Sequence, residues 1–126
     1  MIGNALNNLG NVARAQGQYG EAKALYSESL EIYRILGDKY ALAYLFEDMG
    51  SLAALQAQTR RALHLAGAAS ALREEIGGPL TPTEASQLET ALEPARQALD
   101  EETQATAWAK GRAMPLDKII AMALYE

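Results

Sequence analysis

The feature that most constrains this chain is an internal repeat with a period of 40 residues. When the sequence is shifted by that period, Gly10 falls on Gly50 and Gly37 falls on Gly77. The apolar positions that coincide in the same frame are Ile2 with Leu42, Leu6 with Phe46, Leu9 with Met49, Ala22 with Ala62, and Leu25 with Leu65. Such a repeat indicates a supersecondary unit that buries its apolar face by stacking on a copy of itself.

Each unit has the pattern of two helices. In the first unit, Ile2, Leu6, Leu9 and Ala13 recur at steps of three and four and predict one apolar helix face. Residues 17–20 contain two glycines and predict a turn. The second helix then ends at Gly37, which can adopt the left-handed conformation that terminates helices. The second unit repeats the pattern over about 39–57 and 59–76.

The composition favours helix over sheet. Alanine and leucine are abundant, β-branched residues are scarce, and the 126 residues include only four prolines. That length matches one ordinary domain with a core of its own. The sequence therefore predicts an all-α fold in which residues 1–126 form a single helical-repeat domain.

The pattern resembles the tetratricopeptide repeat, an α-α superhelix of helical hairpins. The residues that carry the resemblance in the first unit are Leu6, Leu9, Gly10, Tyr19, Ala22, Tyr26 and Ser29. The second unit is degenerate, with Ala57 in place of the turn glycine, Thr59 in place of the tyrosine and Ala66 in place of the aromatic residue. The period of 40 residues exceeds the usual repeat of about 34. In this length the repeat is similar to those of bacterial signal-transduction ATPases and LuxR-like transcriptional regulators.

The tail from Pro79 is not a third copy of the repeat. Thr81, Pro82 and Glu84 form the start of a helix with a capping box, and Pro94 predicts a kink or break in that helix. Asp100 can cap a further helix, and a last helix begins at Pro115. Residues 68–85 and 108–124 resemble the C-terminal end of the same regulators. We therefore expect unit one at 1–38, unit two at 39–78 and capping helices at 79–126.

A polar stripe on the first helix provides the candidate binding site. Asn4, Asn7, Asn11 and Arg14 follow one another at helical spacing, and asparagine offers both a donor and an acceptor. The resemblance implies that these residues line the concave face and contact a bound peptide, as do their equivalents in the second unit. Those equivalents are Tyr44, Glu47 and Ser51. The alternative, that all of them are ordinary solvated side chains, stays open.

The sequence contains no constellation of catalytic residues. His64 is the single histidine, cysteine is absent, and no phosphate-binding loop or metal-ligand spacing is present. We therefore expect no enzyme activity, no metal and no cofactor. The net charge of −5 and the lack of a basic stripe argue against direct nucleic-acid binding. No membrane span or signal peptide is evident, and a cytoplasmic location is expected.

Two functions remain compatible with the sequence. The first is a non-catalytic interaction module, the C-terminal fragment of a larger bacterial regulator, that binds a peptide or protein segment on its concave face. The alternative is a small-molecule effector-sensing domain of a signal-transduction ATPase regulator. In addition, Met1 lies within two residues of a repeat helix, so that in a fragment the face of unit one would be exposed and apolar. We therefore expect a homodimer at high concentration.

Overall fold

The computed structural model describes residues 2–126, except for the side chain of Ile2, and contains seven helices and no strand within that range. The helices are α1 (Ile2–Ala15), α2 (Tyr19–Leu36), α3 (Lys39–Leu55), α4 (Thr59–Ile76), α5 (Pro82–Ala98), α6 (Glu101–Ala113) and α7 (Leu116–Tyr125). The prediction of an all-α fold built from helical hairpins is confirmed.

The helices form two antiparallel hairpins, α1–α2 and α3–α4, followed by three tail helices. The first helices of the hairpins lie side by side with α5, and we call α1, α3 and α5 the inner layer. Helix α2 packs on α1 and α3, and α4 packs on α3 and α5. Helix α6 packs on the outer side of α4, while α7 lies against both α2 and α4.

Most local boundaries follow from the residues that the sequence pattern identified. Gly37 and Gly77 end α2 and α4 in the left-handed conformation, each with φ 66°. Thr81 and Glu84 form the predicted capping box at the start of α5, and the Asp100 carboxylate accepts from the Thr103 amide at the start of α6. Ala57 has φ 60° at the position where the first unit has Gly17, so the degenerate turn keeps the conformation that glycine favours.

The contact between α1 and α2 is made by small residues on α1. A Cβ atom at Gly3 or Gly10 would lie 2.6 Å from the ring of Tyr33 or Tyr26 respectively, so both glycines let α2 approach closely. Leu9, which we expected on the apolar face, is 54% exposed. The expectation for Leu9 is therefore wrong, because the buried face of α1 contains the two glycines and Ala13 but not Leu9.

The tail helices cover two different parts of the repeats. Helices α5 and α6 pack on the second hairpin. Helix α7 instead contributes Ile119, Ile120 and Ala123 to the main core, on the outer side of α2 and α4. The Arg61 guanidinium donates to the carbonyls of Met122 and Ala123 and so fixes the C-terminal end of α7.

Candidate functional site on the inner layer

The polar stripe of α1 lies where this helix faces α2 and α3. Asn4 Oδ1 accepts a hydrogen bond from the Tyr33 hydroxyl at 2.6 Å, and Asn11 Oδ1 accepts one from the Tyr26 hydroxyl at 2.5 Å. Burial raises the pKa of Tyr26, so this hydroxyl stays protonated and acts as a donor. Two of the predicted asparagines therefore satisfy tyrosines that fill the interior of the first hairpin.

Asn7, Asn11 and Arg14 also surround a carboxylate of α3, that of Asp48, and we call these four residues the polar cluster. Arg14 Nη1 lies 3.6 Å from Asp48 Oδ1 and donates to the Asp48 carbonyl at 3.1 Å. Burial raises the pKa of Asp48, and the neighbouring Arg14, Asn7 and Asn11 side chains offset part of that rise. The arrangement joins the two hairpins through polar contacts and places several donors and acceptors at one point of the inner layer.

Asn7 has an acceptor to spare in this cluster. Its Oδ1 atom is buried and has no hydrogen-bond partner among the residues that the structure describes. An unsatisfied buried carbonyl of this kind costs about 1–3 kcal/mol. Asn7 as a whole is half-buried, so part of the residue reaches the surface.

The candidate residues of the second unit all lie on α3, where Tyr44 contacts α5, Glu47 contacts α4 and Ser51 bonds within α3 itself. Tyr44 is half-buried, and its hydroxyl donates to Glu84 Oε2 at 2.8 Å. Glu47 is buried and receives two hydrogen bonds from Arg73, from Nε at 2.6 Å and from Nη2 at 2.9 Å. Ser51 is buried and donates to the Glu47 carbonyl at 3.0 Å. In this structure Glu47 and Ser51 are covered, and Tyr44 is the accessible member of the set.

Arg73 is the functional-site neighbour that sequence reasoning missed. It is 5% exposed, donates to the Gly78 carbonyl at 2.8 Å, and lies 4.5 Å from the centroid of the Tyr44 ring. Burial raises the pKa of Glu47 in spite of the adjacent guanidinium. The sequence signal was an arginine within the apolar pattern of α4, but its partner Glu47 stands 26 residues away.

A cavity lies where α4, the segment that joins α4 to α5, α5 and Trp108 of α6 meet, and we call it the terminal cavity. Helices α5 and α6 pack on the second hairpin and meet mainly near their joining turn, where Gln104 Nε2 donates to the carbonyls of Arg96 and Leu99. The terminal cavity has a volume of about 370 Å³. Its lining includes Ala66, Leu80, Leu88 and Trp108. This cavity was not predicted, because it depends on how α5 and α6 diverge.

The divergence follows from a close contact between α6 and α4. A Cβ atom at Gly111 would lie 2.0 Å from the His64 carbonyl oxygen, and one at Gly67 would lie 2.4 Å from the Trp108 carbonyl oxygen. Both glycines are buried in helices and allow the two backbones to touch. Helix α6 is thereby held against α4, and away from α5.

The single histidine is a further group that could carry chemistry. His64 has a lowered pKa because of burial and of the nearby cations Lys110 and Arg60. No cluster of three or more histidine, aspartate or glutamate side chains within residues 2–126 is placed to hold a metal. In the same part of the chain, no helix combines the length and the apolar character that crossing a bilayer requires.

Comparison with known proteins agrees with the architecture. The family described as tetratricopeptide repeat matches residues 1–75, which contain α1, α2, α3 and nearly all of α4. Neither the curated proteins nor the solved structures with which the chain was compared include a match. Tetratricopeptide repeats are generally non-catalytic modules for protein–protein interaction. The match covers more than half of the chain and coincides with the two stacked hairpins, so the chain belongs to the tetratricopeptide-repeat family.

Proposed function

We propose that this protein is a non-catalytic interaction module that binds a peptide or protein segment on the inner layer, across α1 and α3. The observation that carries the proposal is the convergence of Asn7, Asn11 and Arg14 around Asp48. Amide side chains can both donate to and accept from a peptide backbone. The polar cluster therefore has the chemistry to hold an extended segment.

The charges of the polar cluster indicate what kind of segment it would prefer. The Arg14 cation and the Asp48 anion already face one another, so the cluster has little net charge to offer. The buried Oδ1 of Asn7 lacks a donor among the described residues, and a backbone N–H would supply one. We infer that recognition depends on the peptide backbone, with Asn4 and Tyr44 at the accessible margins, while Glu47 and Ser51 support the site from below.

The test begins with peptides selected from a random display library against the intact chain. Their affinities for the wild type, for Asn7→Ala and for Asn8→Ala are then measured by calorimetry. Asn8 is an exposed asparagine on the same helix and serves as the matched control. We expect Asn7→Ala to weaken binding by roughly tenfold, the value of one good hydrogen bond, and Asn8→Ala to have less than a twofold effect. Equal affinities for the two variants would contradict the proposal.

We also propose that the module belongs to a bacterial transcriptional regulator of the signal-transduction ATPase type and works in the cytoplasm. The support is the resemblance of residues 68–85 and 108–124 to the C-terminal end of such regulators. Sequencing of the transcript that encodes this chain tests the idea. A phosphate-binding loop and a DNA-binding domain in the same reading frame are expected, and a reading frame that lacks both would refute it.

Self-association through unit one is the third part of the proposal. Leu9 and Val12 on α1 are 54% and 52% exposed, whereas their equivalents one period later, Met49 and Leu52, are buried by the first hairpin. A second copy of the chain could cover the exposed face in the same way. We expect sedimentation to show a dimer at high concentration that Leu9→Gln weakens. The control is Leu55→Gln, at another exposed leucine, and a strictly monomeric wild type would refute the proposal.

The alternative function, effector sensing by a small molecule, is favoured by a different observation. The terminal cavity of about 370 Å³ falls within the size range of small-molecule sites, and its lining is mostly apolar. It adjoins the polar cluster through α3, because Glu47 lines the cavity and the next residue, Asp48, belongs to the cluster. Asn7 belongs only to the polar cluster and Ala85 lines only the cavity, so variants at these two residues test peptide binding and effector binding separately.

A further inference from the structure

The chemical lining of the terminal cavity indicates which ligands it fits. Leu80, Leu88, Ala66 and Trp108 supply apolar surface on several sides. Trp108 is the only tryptophan of the chain, and the Arg96 guanidinium lies 5.4 Å from the centroid of its ring. Part of the indole is therefore already covered by Arg96, and another part of it lines the cavity. A compact ring of carbon atoms matches such walls.

The charged groups that line the cavity are unevenly distributed. Three carboxylates, those of Glu47, Glu74 and Glu89, line it together with a single guanidinium, that of Arg73. Glu47 is fully engaged by Arg73 and is buried below the apolar wall. The other two carboxylates are therefore the groups that remain available to a ligand.

Glu74 and Glu89 keep accepting capacity in spite of their arginine partners. Glu74 pairs with Arg112, and their side chains are 67% and 34% exposed respectively. Glu89 pairs with Arg96, and the corresponding values are 59% and 31%. In both pairs the anion is the more exposed member, and neither of these two arginines lines the cavity. A carboxylate has more lone pairs than one guanidinium contact uses, so both can accept from a donor at the cavity mouth.

We propose that the terminal cavity binds a small organic amine, whose apolar ring lies between α4 and α5 beside Trp108 and whose protonated nitrogen is held by Glu74 and Glu89. The inference deepens the small-molecule alternative and rests on it, but it does not depend on peptide binding by the polar cluster. An amine is favoured over a carboxylate ligand, because Glu74 and Glu89 line the cavity whereas their partners Arg112 and Arg96 do not, and the Arg73 guanidinium is already engaged by Glu47.

The experiment uses the fluorescence of Trp108 in the intact chain. The probes are 2-phenylethylamine, 2-phenylethanol and 3-phenylpropionate, which share a ring and differ in the charge of the end group. We expect saturable changes for the amine, with an affinity roughly tenfold above that of the alcohol, as one charge-assisted contact gives, and weaker binding still for the acid. Equal affinities for the three probes would overturn the amine assignment but leave the small-molecule function standing. No saturable response to any probe would overturn both.

Variants locate the site and the charge preference. Ala85→Phe should fill the cavity and abolish the response, whereas Ala98→Phe, at an exposed position of the same helix outside the lining, should not. The double variant Glu74→Gln/Glu89→Gln should remove the preference for the amine over the alcohol. Glu93→Gln, another exposed glutamate of α5, should preserve it. If Ala85→Phe fails to fold, the glutamine variants decide, and an unchanged preference in the double variant contradicts the proposal.

Discussion

Replacement of Arg73 by methionine tests how much the buried ion pair with Glu47 contributes to stability. The guanidinium makes two hydrogen bonds to Glu47, at 2.6 and 2.9 Å, and a third to the Gly78 carbonyl at 2.8 Å. Arg73→Met removes all three bonds and leaves the Glu47 carboxylate buried without a counter-charge. Breaking a buried pair in this way costs about 3–5 kcal/mol of the free energy of unfolding. For a chain of this length that corresponds to a fall of about 10–25 °C in Tm.

The assay is urea denaturation followed by far-ultraviolet circular dichroism near neutral pH, with thermal scans as a second readout. The matched control is Glu75→Ala, which removes the ion pair with Lys39 between the same two helices. Its side chains are 58% and 45% exposed, so the expected loss is below about 1 kcal/mol. The double variant Glu47→Leu/Arg73→Met removes both charges together and should recover most of the loss.

Two results would refute this reasoning. If Arg73→Met and Glu75→Ala lowered the free energy of unfolding equally, the ion pair of Arg73 with Glu47 would contribute no more than an exposed pair. If the double variant were no more stable than Arg73→Met, the loss would come from packing of the arginine stem against Tyr44 rather than from an uncompensated charge.

Three further predictions concern the backbone and the single histidine. Gly111→Ala should destabilise the fold by several kcal/mol, because its Cβ would meet the His64 carbonyl at 2.0 Å. Gly20→Ala, in open space on α2, should instead stabilise the fold by up to about 1 kcal/mol. Chemical denaturation distinguishes the two signs. Ala57→Gly should raise the free energy of unfolding by about 0.5–1 kcal/mol by relieving a φ of 60°, and a decrease would show that the turn is not strained. The pKa of His64 in the folded state is lowered from 6.5. The contribution of His64 to the free energy of unfolding is therefore fully present above pH 6.5 and should be lost as the pH drops through the lowered pKa. His64→Gln should lack this component, and an imidazole resonance that titrates above pH 6.5 would contradict it.

The sequence allowed the local structure to be predicted well, because its signals lie within a few residues of one another. The capping box of Thr81 and Glu84, and the terminating Gly37 and Gly77, needed no knowledge of distant contacts. The break that Pro94 allowed does not occur, since α5 continues through it. Pro94 and Thr90 are both exposed, so the carbonyl that loses its intrahelical donor can be hydrated by solvent.

Contacts between distant residues could not be predicted in the same way. Asn7, Asn11 and Arg14 were identified as one stripe, but nothing in the sequence showed that Asp48 would occupy its centre. Under the shift of 40 residues, Asp48 is equivalent to Asn8, which is exposed, so the repeat gives no indication that Asp48 is buried. The approach of α6 to α4 had a usable signal in Gly67 and Gly111, two glycines inside helices, but their pairing requires the tertiary structure.

The central claim, that the inner layer of α1 and α3 binds the partner, is tested most directly by a nuclear magnetic resonance titration with a selected peptide. The intact chain is labelled with ¹⁵N, and the backbone and side-chain amide shifts are followed to saturation. We predict that the largest changes occur at the side-chain amides of Asn7 and Asn11 and in the backbone of α1 and α3. Changes confined to residues beyond Pro79 would contradict the account.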